Sequence, residues 1–206
     1  MVTTSPIMTK VYAVTEWLMK LALLNILWLI CSLPIITLFP STNALFATLR
    51  ANVRGEVNGS LSKTFFHLFK WEFGSSYRIG LFMLFIGFIL YVHLQFALTG
   101  DTSVFLIYRY VVYMFILLFV VALMYVYPVA VHITMPAYKA AAMALFLGIR
   151  HIFWTLTALV TMCIILFLLY QFQAFVLLFS GSVIAGLMTS IAHLLFERSE
   201  NKQIIQ

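Results

Sequence analysis

Charge is what this chain lacks most. Of its 206 residues 9% are charged and 64% are hydrophobic, which leaves too little polar surface to cover a water-soluble globule. The chain reads as an integral membrane protein. Only six residues are acidic, Glu16, Glu56, Glu72, Asp101, Glu197 and Glu200, and all fall in loops or at the ends of apolar runs. Ion-coupled transport needs a carboxylate or a base held within the membrane, so self-sufficient coupled transport is disfavoured. Cysteine is scarce too. Cys31 and Cys163 both lie in apolar runs, with neither metal-ligand spacing nor a disulfide framework, and read as small buried apolar residues. There is no Walker motif, no HExxH and no paired carboxylate set, so ATP hydrolysis would have to come from another chain and hydrolytic chemistry lacks its parts. The histidines, His67, His93, His132, His151 and His193, show no ligand spacing. His132 and His151 come nearest to one another, at facing helix ends, where a lone histidine is more often structural. No catalytic residue, metal site or cofactor is expected.

What is present is apolar length. A bilayer core about 30 Å thick demands roughly 20 apolar residues per helix, and five runs meet that: Trp17 to Phe39, Tyr77 to Leu98, Val104 to Val131, Ile152 to Tyr170 and Phe172 to Leu195. The first lacks a small-x-small cleavage site, so it is expected to stay as a helix. No soluble domain, linker, low-complexity tract or repeat interrupts the chain, and residues 1–206 read as a single membrane domain, an all-α compact bundle of about five transmembrane helices.

The basic residues sort by loop. Arg50, Arg54, Lys63, Lys70 and Arg78 crowd the first connection, Lys139 and Arg150 lie between the third and fourth runs, and Arg198 and Lys202 follow the fifth. With five spans these regions share one side, which places the amino terminus outside and the carboxyl terminus in the cytoplasm of a multi-pass membrane protein. Lys10, Lys20 and Arg109 fall on or near the opposite side. The net charge of +6 then faces anionic lipid headgroups, and nucleic acid is not an expected partner.

The connection from Pro40 to Tyr77 reads as amphipathic cytoplasmic helices between the first and second spans. Ser41-Thr42-Asn43 can cap a first helix with Leu45, Phe46, Leu49 and Val53 on one face and Arg50 and Arg54 pointing away. Gly55 ends it. After a turn at Asn58-Gly59-Ser60, a stripe of Leu61, Phe65, Leu68, Phe69 and Phe73 opposes Lys63, His67 and Lys70. This second helix is expected to lie in the membrane plane, packed on its own bundle or docked on a partner.

Three further features stand inside the runs. Asn25 carries an amide into the first, where burial without a partner costs a few kcal/mol, so it is expected to face another helix; Pro34 frees a carbonyl and permits a kink. The fifth run carries Ser182, Gly186 and Ser190 at intervals of four, with Gly181, Ala185 and Thr189 on the adjoining row. Such small-residue ridges let backbones approach, within one chain or between copies. Tyrosines at the outer ends, Tyr91, Tyr108, Tyr110, Tyr113 and Tyr170, read as an interfacial belt. The segment from Lys139 to Arg150 reads as a short cytoplasmic helix loosely similar to the coupling helices of ABC permeases, although Lys139 replaces their acidic lead residue.

Leu24-Asn25-Ile-Leu-Trp28, Ser32-Leu-Pro34, Thr37 and Pro40 through Leu45 resemble the opening signature of the YesL family of bacterial membrane proteins, and Phe66-x-x-Phe69-Lys70-x-x-Phe73 is similar to its second block. The resemblance covers essentially the whole chain. It implies no catalytic residues, since the family has no assigned activity, and it implies a context, because members are commonly encoded beside carbohydrate-importing ABC transporters, two-component sensors and polysaccharide-degrading enzymes. The expected function is a non-enzymatic accessory or regulatory membrane subunit associated with a carbohydrate ABC importer. An independent sugar or solute transporter or channel and a membrane partner of a sensor kinase are the alternatives. Expected partners are membrane lipids, importer permease subunits or a second copy of the chain, and the candidate interface and structural residues are Asn25, Trp28, Pro34, Pro40, Phe66, Phe69, Lys70, Phe73, Ser182, Gly186 and Ser190.

Overall fold

The structure is a computed structural model that describes residues 6–57, 59–133, 135–171 and 173–204. They form eight helices: α1 Pro6–Ser32, α2 Leu38–Val53, α3 Leu61–Trp71, α4 Phe73–Ala97, α5 Ser103–His132, α6 Ala137–Arg150, α7 Ile152–Gln171 and α8 Gln173–Ile204. No strand occurs among the described residues, and the protein is an all-α membrane protein. Within α1, α4 and α5, the segments Met8–Ser32, Phe73–Ala97 and Ser103–His132 are long and apolar enough to cross a bilayer. Helix α6 and the Ile152–Leu168 part of α7 meet at a 96° bend and together make a fourth candidate; the apolar stretch Leu178–Leu194 of α8 is shorter. All five apolar runs are thus represented by helices, and three, or four with the bent pair, reach spanning length.

The first run does not continue to Phe39 as one helix. Pro34 has no N–H to extend α1, the chain leaves the helix after Ser32, and a 3-10 turn spans Ile35–Thr37. The Thr37 hydroxyl, 2.5 Å from the Cys31 carbonyl and 2.7 Å from that of Pro34, covers the freed end. Helix α2 then folds back along α1, where the Trp28 indole N–H donates to the Thr42 hydroxyl at 3.2 Å.

Helix α2 corrects the expectation of a surface helix. It begins at Leu38 rather than at a Ser41-Thr42-Asn43 cap, and no side chain caps it. Pro40 stands in its first turn, where a missing N–H costs nothing. Pro40, Ser41 and Asn43 to Leu49 are all buried, so the helix sits in the core. Its polar residues tolerate burial because the hydroxyls of Ser41, Thr42 and Thr48 donate to the carbonyls of Thr37, Leu38 and Ala44 and so need no water. Gly55 closes α2 in the left-handed region at φ +69°, with the Glu56 and Gly55 amides bonded to the Ala51 and Asn52 carbonyls. Of the expected turn that follows, Asn58 lies outside the described residues. Helix α3 buries Leu61 and Phe65 on its own bundle and leaves Lys63, His67 and Lys70 exposed.

Helix α6 is a second correction. The expected cytoplasmic connection packs instead along α5, with Ala140, Ala144, Leu147 and Gly148 buried. Alanines and a glycine at spacings of four let its backbone come close. The Tyr125 and Thr155 hydroxyls lie 3.1 Å apart, and Thr155 donates to the Gly148 carbonyl at 2.8 Å.

Registers define the direction of each helix. Phe96 packs on Phe105 and Tyr108, and Ile79 lies near Ala130 and Val131, so α4 starts at the end of the bundle where α5 finishes. At that end Thr189, Ala192 and His193 of α8 gather with Arg50, Pro128 and His132. Asn25 lies against Gly181 and Ser182, and Leu21 against Gly186; α1 therefore runs antiparallel to α8, and its amino-terminal end points to that same end. Helices α1 and α2 form a hairpin returning there. Arg109, at the other end, donates to the Ala97 and Gly100 carbonyls and serves the last turn of α4.

Candidate functional site

At the end where α4 begins and α5 finishes lies an open cavity of about 850 Å³. Its polar groups come from four places: Asn43 of α2, Glu72 at the junction of α3 and α4, Ser75 and Arg78 from the first turns of α4, and His132 closing α5. Ile79, Ala130, Val131 and Met135 supply an apolar wall, and Trp71, 80% exposed, stands at the rim.

Glu72 is held in place from both directions. Its backbone carbonyl accepts from the hydroxyls of Ser75 and Ser76 and from the Ser76 amide, which anchors the start of α4. Its carboxylate accepts a hydrogen bond from the Asn43 side-chain amide. Burial pushes the Glu72 carboxyl above its ordinary value, and the Asn43 bond and the Arg50 charge oppose that rise. The bond to a carboxylate settles which end of the Asn43 amide is the donor. Its oxygen, on a residue only 2% exposed, has no hydrogen-bond partner.

Arg50, in the last turn of α2, borders the site through His132. Its Nε donates to His132 Nδ1 at 3.2 Å, so that histidine nitrogen acts as an acceptor. Burial and the neighbouring Arg54 lower the Arg50 guanidinium from its usual range, with Glu56 and Glu72 opposing, yet an arginine stays charged at any working pH. His151 is separate in the chain, at the bend between α6 and α7. Among the described residues no three His, Cys, Asp or Glu side chains converge as a metal site requires.

The residues singled out from the sequence lie elsewhere. Asn25 is fully buried, and its side-chain oxygen accepts from the backbone amides of Gly181 at 2.8 Å and Ser182 at 2.9 Å. Trp28 covers Gly181, where an added Cβ would fall 2.9 Å from its ring. Ser182 and Gly186 are buried against α1 in the same chain, so they are not free to seat a partner, whereas Ser190 is exposed and donates to the Gly186 carbonyl at 2.8 Å. Pro34 is exposed and Pro40 buried; Phe69 is half-buried between Phe65 and Phe73, while Phe66, Lys70 and Phe73 reach the surface. None of these lines the cavity. Its two central residues carried weak signals, Asn43 as a helix cap and Glu72 as a boundary charge, and their pairing across 29 residues has no periodic signature.

Comparison with known proteins agrees on the family. Residues 21–94 match the family described as "Protein of unknown function, DUF624", a stretch that includes α2, α3, Asn43 and Glu72. The chain is 34% identical over 174 residues to the uncharacterized protein YteU of Bacillus subtilis (strain 168), covering 82% of this chain and 78% of that one. It is 29% identical to YesL of the same organism, covering 91% and 90%, and 31% identical to YesV, covering 86% of each. No solved structure matches. An all-helical apolar bundle with its matched block built around the α1–α2 hairpin and α3 thus belongs to the DUF624 family, that of YesL, YteU and YesV.

Proposed function

We propose that this protein is a non-enzymatic accessory membrane subunit that docks on a carbohydrate importer of the ABC type and shifts its conformational equilibrium by binding one state more tightly. The observation that carries the reading is the outer edge of α3. Although Leu61 and Phe65 are spent on the protein's own core, Lys63, Phe66, His67, Lys70 and Trp71 remain exposed, Phe66 at 44% and Trp71 at 80%. An aromatic and basic edge beside a packed helix suits a partner surface. The carbohydrate importer as partner rests on the context that the family resemblance implies. A tagged protein purified in mild detergent is expected to bring down permease and ATPase subunits in stoichiometric amount, and K63E/K70E with W71A to lose them while the monomer stays folded. Recovery of this chain alone, with the transporter intact in the extract, sinks the reading.

The same proposal places the protein in a bacterial cell membrane with the end bearing Arg50, Arg54, Lys63, Lys70 and Arg78 in the cytoplasm. The amino-terminal end of α1 points to that same end, which supports a cytoplasmic amino terminus as the alternative to the outside location that a five-span count gives. Lys10 and Lys20 then join the cytoplasmic set. A reporter that fluoresces only in the cytoplasm, fused before α1, is expected to be bright; a dark fusion on a stably expressed protein refutes this placement.

A further inference from the structure

The cavity between α2, α4 and α5 holds two opposite charges that do not pair. Glu72 and Arg78 both line it, yet they form no ion pair with each other, the Glu72 carboxylate accepting instead from the Asn43 amide. The Asn43 oxygen beside it is also without a partner but is buried beyond the reach of a water-sized molecule, so Glu72 is the acceptor that a ligand can meet. One oxygen of its carboxylate takes the Asn43 amide, and the other can accept from a ligand that donates. An anionic acceptor fits a cationic N–H donor. Arg78, exposed on the same wall, fits an anion, for which a guanidinium is well shaped. A bare cation is far smaller than about 850 Å³, and a simple anion would meet the Glu72 carboxylate.

The location narrows the choice. The cavity opens where the membrane helix α4 begins and α5 finishes, with Trp71 at its rim and Ile79, Ala130, Val131 and Met135 along one side. Tryptophan at such a level is typical of the headgroup region, and the apolar side suits the first carbons of an acyl glycerol.

We infer that this cavity binds an ammonium-phosphate zwitterion, the chemistry of a phosphoethanolamine headgroup, with the ammonium at Glu72 and the phosphate at Arg78. Methylating the ammonium removes every donor, so the site distinguishes phosphatidylethanolamine from phosphatidylcholine of the same chains. The test is native mass spectrometry of the full chain delipidated and then offered both lipids in equal amount. The expected result is about tenfold preferred retention of phosphatidylethanolamine, the scale of one charge-assisted hydrogen bond. Glu72→Gln is expected to bring the ratio close to one. Arg78→Gln, at an exposed position where folding is not at risk, is expected to lower retention of both lipids. Soluble glycerophosphoethanolamine separates the sources: a thermal shift with it alone supports a free ligand, and a shift only with the diacyl lipid supports a bilayer one. Equal retention of the two lipids by the native protein, or a preference unchanged in Glu72→Gln, overturns the inference.

Discussion

Replacing Asn25 by leucine is expected to lower the apparent melting temperature in mild detergent by roughly 3–10 °C, from a loss of about 1–3 kcal/mol. The volume is nearly conserved, so packing contributes little and the polar change dominates. What disappears is the one side-chain oxygen that accepts from the successive backbone amides of Gly181 and Ser182. No water can replace it, because Asn25 is fully buried. Individual hydrogen bonds between membrane helices contribute modestly, but here two converge on one atom at the contact of α1 with α8. Asn25→Gln tests the geometry, since the longer side chain carries the same amide past its target. If Asn25→Leu melts within a degree of the native protein, the amide is not what joins these helices.

Gly148→Val is expected to be among the most damaging single substitutions at a glycine. A Cβ there runs into the Val121 side chain and comes within 3.4 Å of the Tyr125 ring, and Tyr125 is among the largest fully buried side chains. Neither neighbour is a flexible tip that can swing away. Overpacking of this kind costs about 1–3 kcal/mol, and displacing α6 also disturbs the Thr155 bond to the Gly148 carbonyl. Fluorescence-detected size exclusion is expected to show most of this variant aggregated. Gly186→Ala is the control from the other small-residue face: its Cβ meets only the Leu21 side-chain end at 3.4 Å, an ordinary contact, and alanine is the better helix former. That variant is expected to run as native. The reverse order of the two would mean that α1 and α8, and not α5 and α6, form the tight joint.

The readings that survived contact with the structure were those that depend on composition and short spacing. The stripe of Leu61 and Phe65, the stop at Gly55, and the need of Asn25 for a helix partner each follow from a few neighbouring residues. The readings that changed were those that depend on what lies across the chain. Helix α2 looks interfacial because Ser41, Thr42, Asn43 and Thr48 are polar, but their hydroxyls are satisfied within the helix and Asn43 is met by Glu72. Helix α6 looks like a loop helix because it is short and begins near Lys139, yet Ala140, Ala144 and Gly148 are small enough to press into α5.

By itself the sequence determined the solvent, the all-helical class and the positions of the apolar runs, since these follow from hydrophobic length and the scarcity of charge. It also determined which residues can stop a helix, because proline and glycine act through their own backbone. Only the tertiary structure decided which polar groups meet. Asn25 reaches amides 156 and 157 residues away, Arg50 reaches His132 over 82, and Asn43 reaches Glu72 over 29. Such pairings arise when helices whose apolar faces look alike choose a register, and the choice is made by where small residues admit close approach and where a buried acceptor finds its donor. The cavity where α4 begins and α5 finishes is a product of that choice.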